Sequence, residues 1–98
     1  MTVRAIHFPD LAEFEGERLA GSIHADPPDI DGEVLFRYFC PCGCGHIGLL
    51  NVGTDFKPSG PGASWNWNGK ADAATLTPSV NHVGHWHGWL KDGYWEAV

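Results

Sequence analysis

The 98-residue chain predicts a small, mostly β domain, an antiparallel sheet or barrel-like fold. Three observations carry that expectation. The chain divides into short runs of β-formers punctuated by Gly, Pro and Asn. Two dipeptides, Asn68-Gly69 and Asp92-Gly93, are strong tight-turn signals. No stretch sustains the 3.6-residue apolar period of a long helix.

Taken in order, Thr2 to Phe8 places Val3, Ala5 and His7 on one face and reads as a first strand. Pro9 to Leu19 carries Leu11 and Phe14 among four acids, which suits a brief helical turn limited by Gly16 and Gly21. Gly21 to Gly32, with its DPPDIDG run, reads as a loop with solvated acids. Glu33 to Phe39 (EVLFRYF) reads as a buried strand and His46 to Val52 (HIGLLNV) as its partner, so CPCGCG occupies the hairpin tip. Gly53 to Gly62 is a loop. Ser64 to Asn68 alternates, with Trp65 and Trp67 on one face. Thr75 to Val80 holds a proline and is an edge strand or a turn. His85 to Lys91 and Tyr94 to Val98 form a hairpin around Asp92-Gly93. There is neither repeat nor linker, so residues 1–98 read as one domain, of a size that buries roughly two-thirds of its unfolded surface.

Twelve acids against six bases give a formal charge of −6. The bases stand singly, with no basic stripe to neutralise phosphates, so the chain predicts no nucleic-acid partner. No apolar run approaches the roughly 20 residues that span a bilayer, and MTVRAIHFPD lacks the apolar stretch of a secretory leader. The expectation is a cytoplasmic protein with no membrane partner.

Three cysteines, six histidines and five tryptophans stand out. Cys40, Cys42 and Cys44 alternate in CPCGCGH. A Cys-x-Cys disulfide closes a very tight ring, and an odd count leaves one thiol over. Thiolates select zinc, and the glycines let a loop wrap closely around a metal. A closed tetrahedral site needs a fourth ligand, and His46, His82, His85 and His87 are the candidates. On a strand, His85 and His87 share a face, so both approach one metal, or one a metal and the other a nucleophile. Ser79, in Thr77-Pro78-Ser79, becomes nucleophilic only if a base takes its proton, and His87 is in range if their strands are neighbours. No G-x-S-x-G elbow is present, which excludes an α/β-hydrolase. The tryptophans read chiefly as core, with a groove for an extended peptide as the other use.

In combination, CPCGCG, SWNWNG, TLTPSV and HWHGWLKDGYW resemble one family of small bacterial and phage proteins, over roughly Phe36 to Trp95. That family includes the BubE peptidases encoded beside bacterial ubiquitin-like conjugation genes. The resemblance implies a serine peptidase that processes a ubiquitin-like protein or another extended peptide C-terminus. It aligns Cys40, Cys42 and Cys44 with the family's cysteine cluster, Ser79 with its Pro-Ser serine and His87 with the histidine opening the last hairpin. Where family members often carry another cysteine before that histidine, this chain has Val83-Gly84-His85, and His85 stands as the substitute ligand.

The implied mechanism has a structural Zn²⁺, on Cys40, Cys42, Cys44 and His85, tie the hairpin tip to the C-terminal hairpin. His87 takes the proton of Ser79, and backbone amides supply the oxyanion hole. Asp72 and Asp92 are the candidates for orienting His87. Two other readings compete: a noncatalytic zinc-binding β module that engages a protein through its tryptophans, and a zinc hydrolase with an open metal position.

Overall fold

The computed structural model describes residues 2–98, and the mostly β expectation holds. One sheet has four antiparallel strands in the order β1 (Thr2–Arg4), β9 (Tyr94–Ala97), β8 (Trp86–Lys91) and β7 (Val80–His82). The other has five, in the order β2 (Ile23–Ala25), β3 (Glu33–Phe39), β4 (Ile47–Thr54), β5 (Trp65–Trp67) and β6 (Leu76–Thr77). Its β4–β5 pairing is parallel, an exception to the expected antiparallel pattern. The loop expected from Gly53 starts only after Thr54, and it carries the chain back across the sheet rather than into a hairpin.

The core lies between the sheets. Val34, Phe36, Leu50 and Val52 from β3 and β4 meet Val80, Leu90 and Trp95 from β7, β8 and β9. Alternation accounts for this, since β3 and β4 bury every second side chain. Four of the five tryptophans serve the core: Trp67 and Trp95 are buried, and Trp65 and Trp86 pack half-buried against it. Trp89 is the exception, 46% exposed on the outer face of β8.

Several boundaries shift. The first strand stops at Arg4, because the chain then leaves one sheet for the other: Ile6 and Phe8 exchange backbone hydrogen bonds with Ile23. The expected loop from Gly21 to Gly32 contains β2, whose Ile23 and His24 are buried. The brief helix is α1 (Leu11–Glu17); Asp10 caps it by accepting from the Ala12 N–H, and Phe14 is its buried residue. The segment expected as an edge strand or a turn is both. Here β6 ends one edge, Pro78 and Ser79 cross over, and β7 begins the edge of the other sheet. The last hairpin turns at Asp92-Gly93 with φ of 50° and 85°, the left-handed pair of a type I′ turn.

Candidate active site and metal centre

The β7–β8 hairpin carries residues of both candidate sites. Its register pairs Val80 with Gly88, Asn81 with His87 and His82 with Trp86. Alternation turns Val80 and His82 inward and leaves Asn81, His87 and Trp89 exposed. Ser79, just before β7, brings its Oγ to 3.1 Å from Nε2 of His87. With the imidazole proton on Nδ1, the serine hydroxyl donates and Nε2 accepts, the arrangement in which histidine acts as a base. The Ser79 carbonyl accepts from the Trp65 indole N–H at 3.1 Å, so the serine backbone is held from the opposite sheet. The candidates for a third member lie elsewhere. Asp72 offers its carbonyl to Arg4, the Asp92 N–H donates to Thr75, and among the described residues neither hydrogen-bonds His87.

The metal-type donors gather around the turn end of the same hairpin, most of them exposed, in two overlapping groups. Ligand atoms of Cys44, His46, His82 and His85 all lie within 4.8 Å of one another, as do those of Cys40, Cys42 and Cys44. Cys44 belongs to both. The β3–β4 tip supplies the cysteines and His46; β7 and the turn after it supply His82 and His85. The two sheets therefore meet here, with the His46 and His85 ring centroids 4.8 Å apart. Thiol sulfur and imidazole nitrogen at this density are the donor chemistry of a tetrahedral zinc site. The histidines are thus sorted: His46, His82 and His85 belong to the donor clusters, and His87 to the serine. His85 keeps its place beside Cys44 although it falls in the turn, its N–H bonded to the His82 carbonyl, rather than in the expected strand.

Neighbouring residues that the sequence reading passed over shape the cluster. The Tyr38 hydroxyl lies 2.9 Å from His82 Nδ1, leaving His82 Nε2 as the free donor. Tyr38 reaches there because its register partner is Gly48: a Cβ on Gly48 would fall inside the tyrosine ring. A glycine inside an apolar strand is the sequence signal for such a close approach. Arg18, capping α1, donates from Nη2 to the Gly45 carbonyl at 2.8 Å and braces the cysteine loop. Nothing in the sequence marks that contact.

Charge is graded across the cluster. Burial pushes the Cys40 thiol up to about 12. Cys42, exposed and accepting a hydrogen bond from Cys40 at 3.2 Å, is lowered. Tyr38 is raised to about 12, by burial and then by the nearby cysteines, and stays a neutral phenol. His82 is lowered by burial and by the like charges of His85 and His46, which favours the neutral imidazole that binds metals.

The family model described as the bacterial ubiquitination-like system serine protease, BubE, matches residues 11–98. The chain belongs to the BubE family. That match extends the family's reach beyond Phe36, back to α1 with its Arg18 brace. A BubE-family chain implies a protein substrate in a ubiquitin-like system. No curated protein matches the chain, and no solved structure does. No helix among the described residues is long and apolar enough to cross a membrane.

Proposed function

We propose that this BubE-family chain is a zinc-stabilised serine peptidase that cleaves the extended C-terminal tail of a ubiquitin-like protein. The observation that carries the reading is the 3.1 Å approach of Ser79 Oγ to His87 Nε2 on an exposed sheet face. His87 takes the hydroxyl proton as Ser79 attacks a peptide carbonyl, then returns it to the departing amine. Trp65 holds the Ser79 carbonyl, so the hydroxyl is aimed before substrate arrives. Exposed Trp89, on the same face as His87, gives an extended tail an apolar wall.

Cys44 is the ligand we assign to zinc in either arrangement, with His46, His82 and His85 completing one set and Cys40 and Cys42 belonging to the other. His85 is not grouped with Cys40 and Cys42, and we favour the set that contains it. When bound, the metal supplies a crosslink between the cysteine loop and the hairpin. Cobalt substitution separates the two sets, since the thiolate-to-metal absorption grows with the number of sulfurs bound.

The test is Ser79→Ala. A peptidase variant loses labelling by a fluorophosphonate and loses release of the C-terminal tail, while its metal content and circular dichroism stay those of the parent. The noncatalytic module is the second reading, favoured by neither Asp72 nor Asp92 hydrogen-bonding His87. Under that reading the parent protein takes no label at all and Ser79→Ala changes nothing.

A further inference from the structure

We propose that the side-chain amide of Asn81 is the oxyanion donor of the Ser79–His87 site, a catalytic residue beyond that pair; the inference rests on the peptidase reading above. Its ground is the hydrogen-bonding phase of the hairpin. The Val98 N–H donates to the His87 carbonyl at 3.0 Å, so the backbone polar groups of His87 face the β9 side. Toward β7, the Asn81–His87 pair is therefore the non-hydrogen-bonded kind, with Cα atoms about 4.5 Å apart and side chains at their closest. Both residues are exposed on the outer face. Ser79 lies two residues before Asn81 and its hydroxyl meets His87 on that face. The three side chains are the corners of one triangle.

Same-face neighbours on a strand are about 7 Å apart, and Ser79 adjoins Val80, the first residue of β7, so that spacing bounds its distance to Asn81. A carbonyl carbon bonded to Ser79 Oγ at one corner, its oxygen turned toward the Asn81 amide at the other, fits that interval. Asn81 is exposed, and among the described residues its side chain makes no hydrogen bond within the protein, so its two N–H donors face solvent and are open to substrate. In the step itself the Oγ–C bond forms as His87 takes the Oγ proton. The carbonyl π pair moves onto oxygen, and that oxyanion accepts from Asn81 Nδ2. When the pair returns, the C–N bond breaks and the amine leaves with the proton from His87. Water then repeats the sequence on the acyl ester, releasing the new carboxylate and restoring the Ser79 hydroxyl.

A side chain opposite His87 has another possible use, as the group that orients the imidazole, and one substitution sets the two against each other. Asn81→Asp would strengthen an orienting role, completing a Ser-His-Asp set. It would cripple an oxyanion donor, because a carboxylate donates nothing and repels the developing charge. The experiment measures fluorophosphonate labelling rates of the full, metal-loaded chain for the parent, Asn81→Ala, Asn81→Asp and Ser79→Ala. In that probe Ser79 Oγ attacks phosphorus, fluoride leaves, and the phosphoryl oxygen needs the same donor. The expected result is an about 10²-fold slower rate for Asn81→Ala, a loss at least as large for Asn81→Asp, and unchanged metal content and circular dichroism. A rate for Asn81→Ala within about threefold of the parent overturns the proposal, as does an Asn81→Asp rate at or above the parent's. A parent that takes no label on Ser79 overturns the peptidase reading itself, an outcome distinct from the other two.

Discussion

Of three histidines within six residues, His82 and His85 face the donor cluster and His87 faces Ser79, because strand alternation and one turn separate them. Their roles should therefore come apart on substitution. His87→Ala should abolish labelling of Ser79 and leave zinc retention at the parent value, whereas His85→Ala should release zinc to a competing chelator; labelling kinetics and chelator titration measure the two. Tyr38 acts on the cluster through His82, so Tyr38→Phe should weaken zinc binding by about 10-fold, the usual cost of losing a hydrogen bond to a ligating histidine. Away from the site, Asp26 accepts from Arg37 at 3.0 Å and lies 3.2 Å from His24. The hydrogen bond from Arg37 holds the Asp26 carboxyl below its ordinary range. A carboxyl lowered by folding stabilises fully above its unfolded value, about 3.9, and loses that contribution as pH falls through the folded one. Asp26→Asn should lower stability near neutral pH by up to about 1 kcal/mol, with the difference from the parent shrinking in acid, as urea midpoints between pH 7 and 2 would record.

At the scale of elements, what could be read in the sequence was whatever a local signal decides. Asp92-Gly93 dictates its turn, EVLFRYF its strand, and the eight-residue interval from Ser79 to His87 fits one hairpin. Pairings between distant segments were not legible. The parallel match of β4 with β5 leaves no mark in either strand's residues, and Ile23–Ala25 is too short to stand out beside DPPDIDG. The same limit governed the site. Ser79 and His87 belong to one hairpin, so a local signal suffices to suggest that they meet. The metal donors come from two sheets, so His46 and His82 could be named as candidates but not placed beside Cys44 and His85 until the topology was known. Gly48 is the local mark of the Tyr38 contact. Gly48→Ala should displace the Tyr38 ring at a cost of about 1–3 kcal/mol and weaken zinc retention with it; melting curves and chelator titration would show the two losses together.

Across the whole molecule, the donor clusters join the β3–β4 tip of one sheet to the β7–β8 hairpin of the other, at one end of the shared core. Structural zinc sites carry apparent affinities of roughly 10–16 kcal/mol, as large as the roughly 5–15 kcal/mol that holds an ordinary domain together. Removing the metal should lower the melting temperature by tens of degrees, measured by calorimetry with and without a chelator. Ser79 straddles the same seam. Its carbonyl is held by Trp65 of one sheet and its hydroxyl by His87 of the other. A slip of an ångström between the sheets, which greasy side chains absorb, opens a hydrogen bond that tolerates far less. On the peptidase reading Ser79 is thus the fuse of the fold: on warming, activity should fail several degrees before the sheets separate.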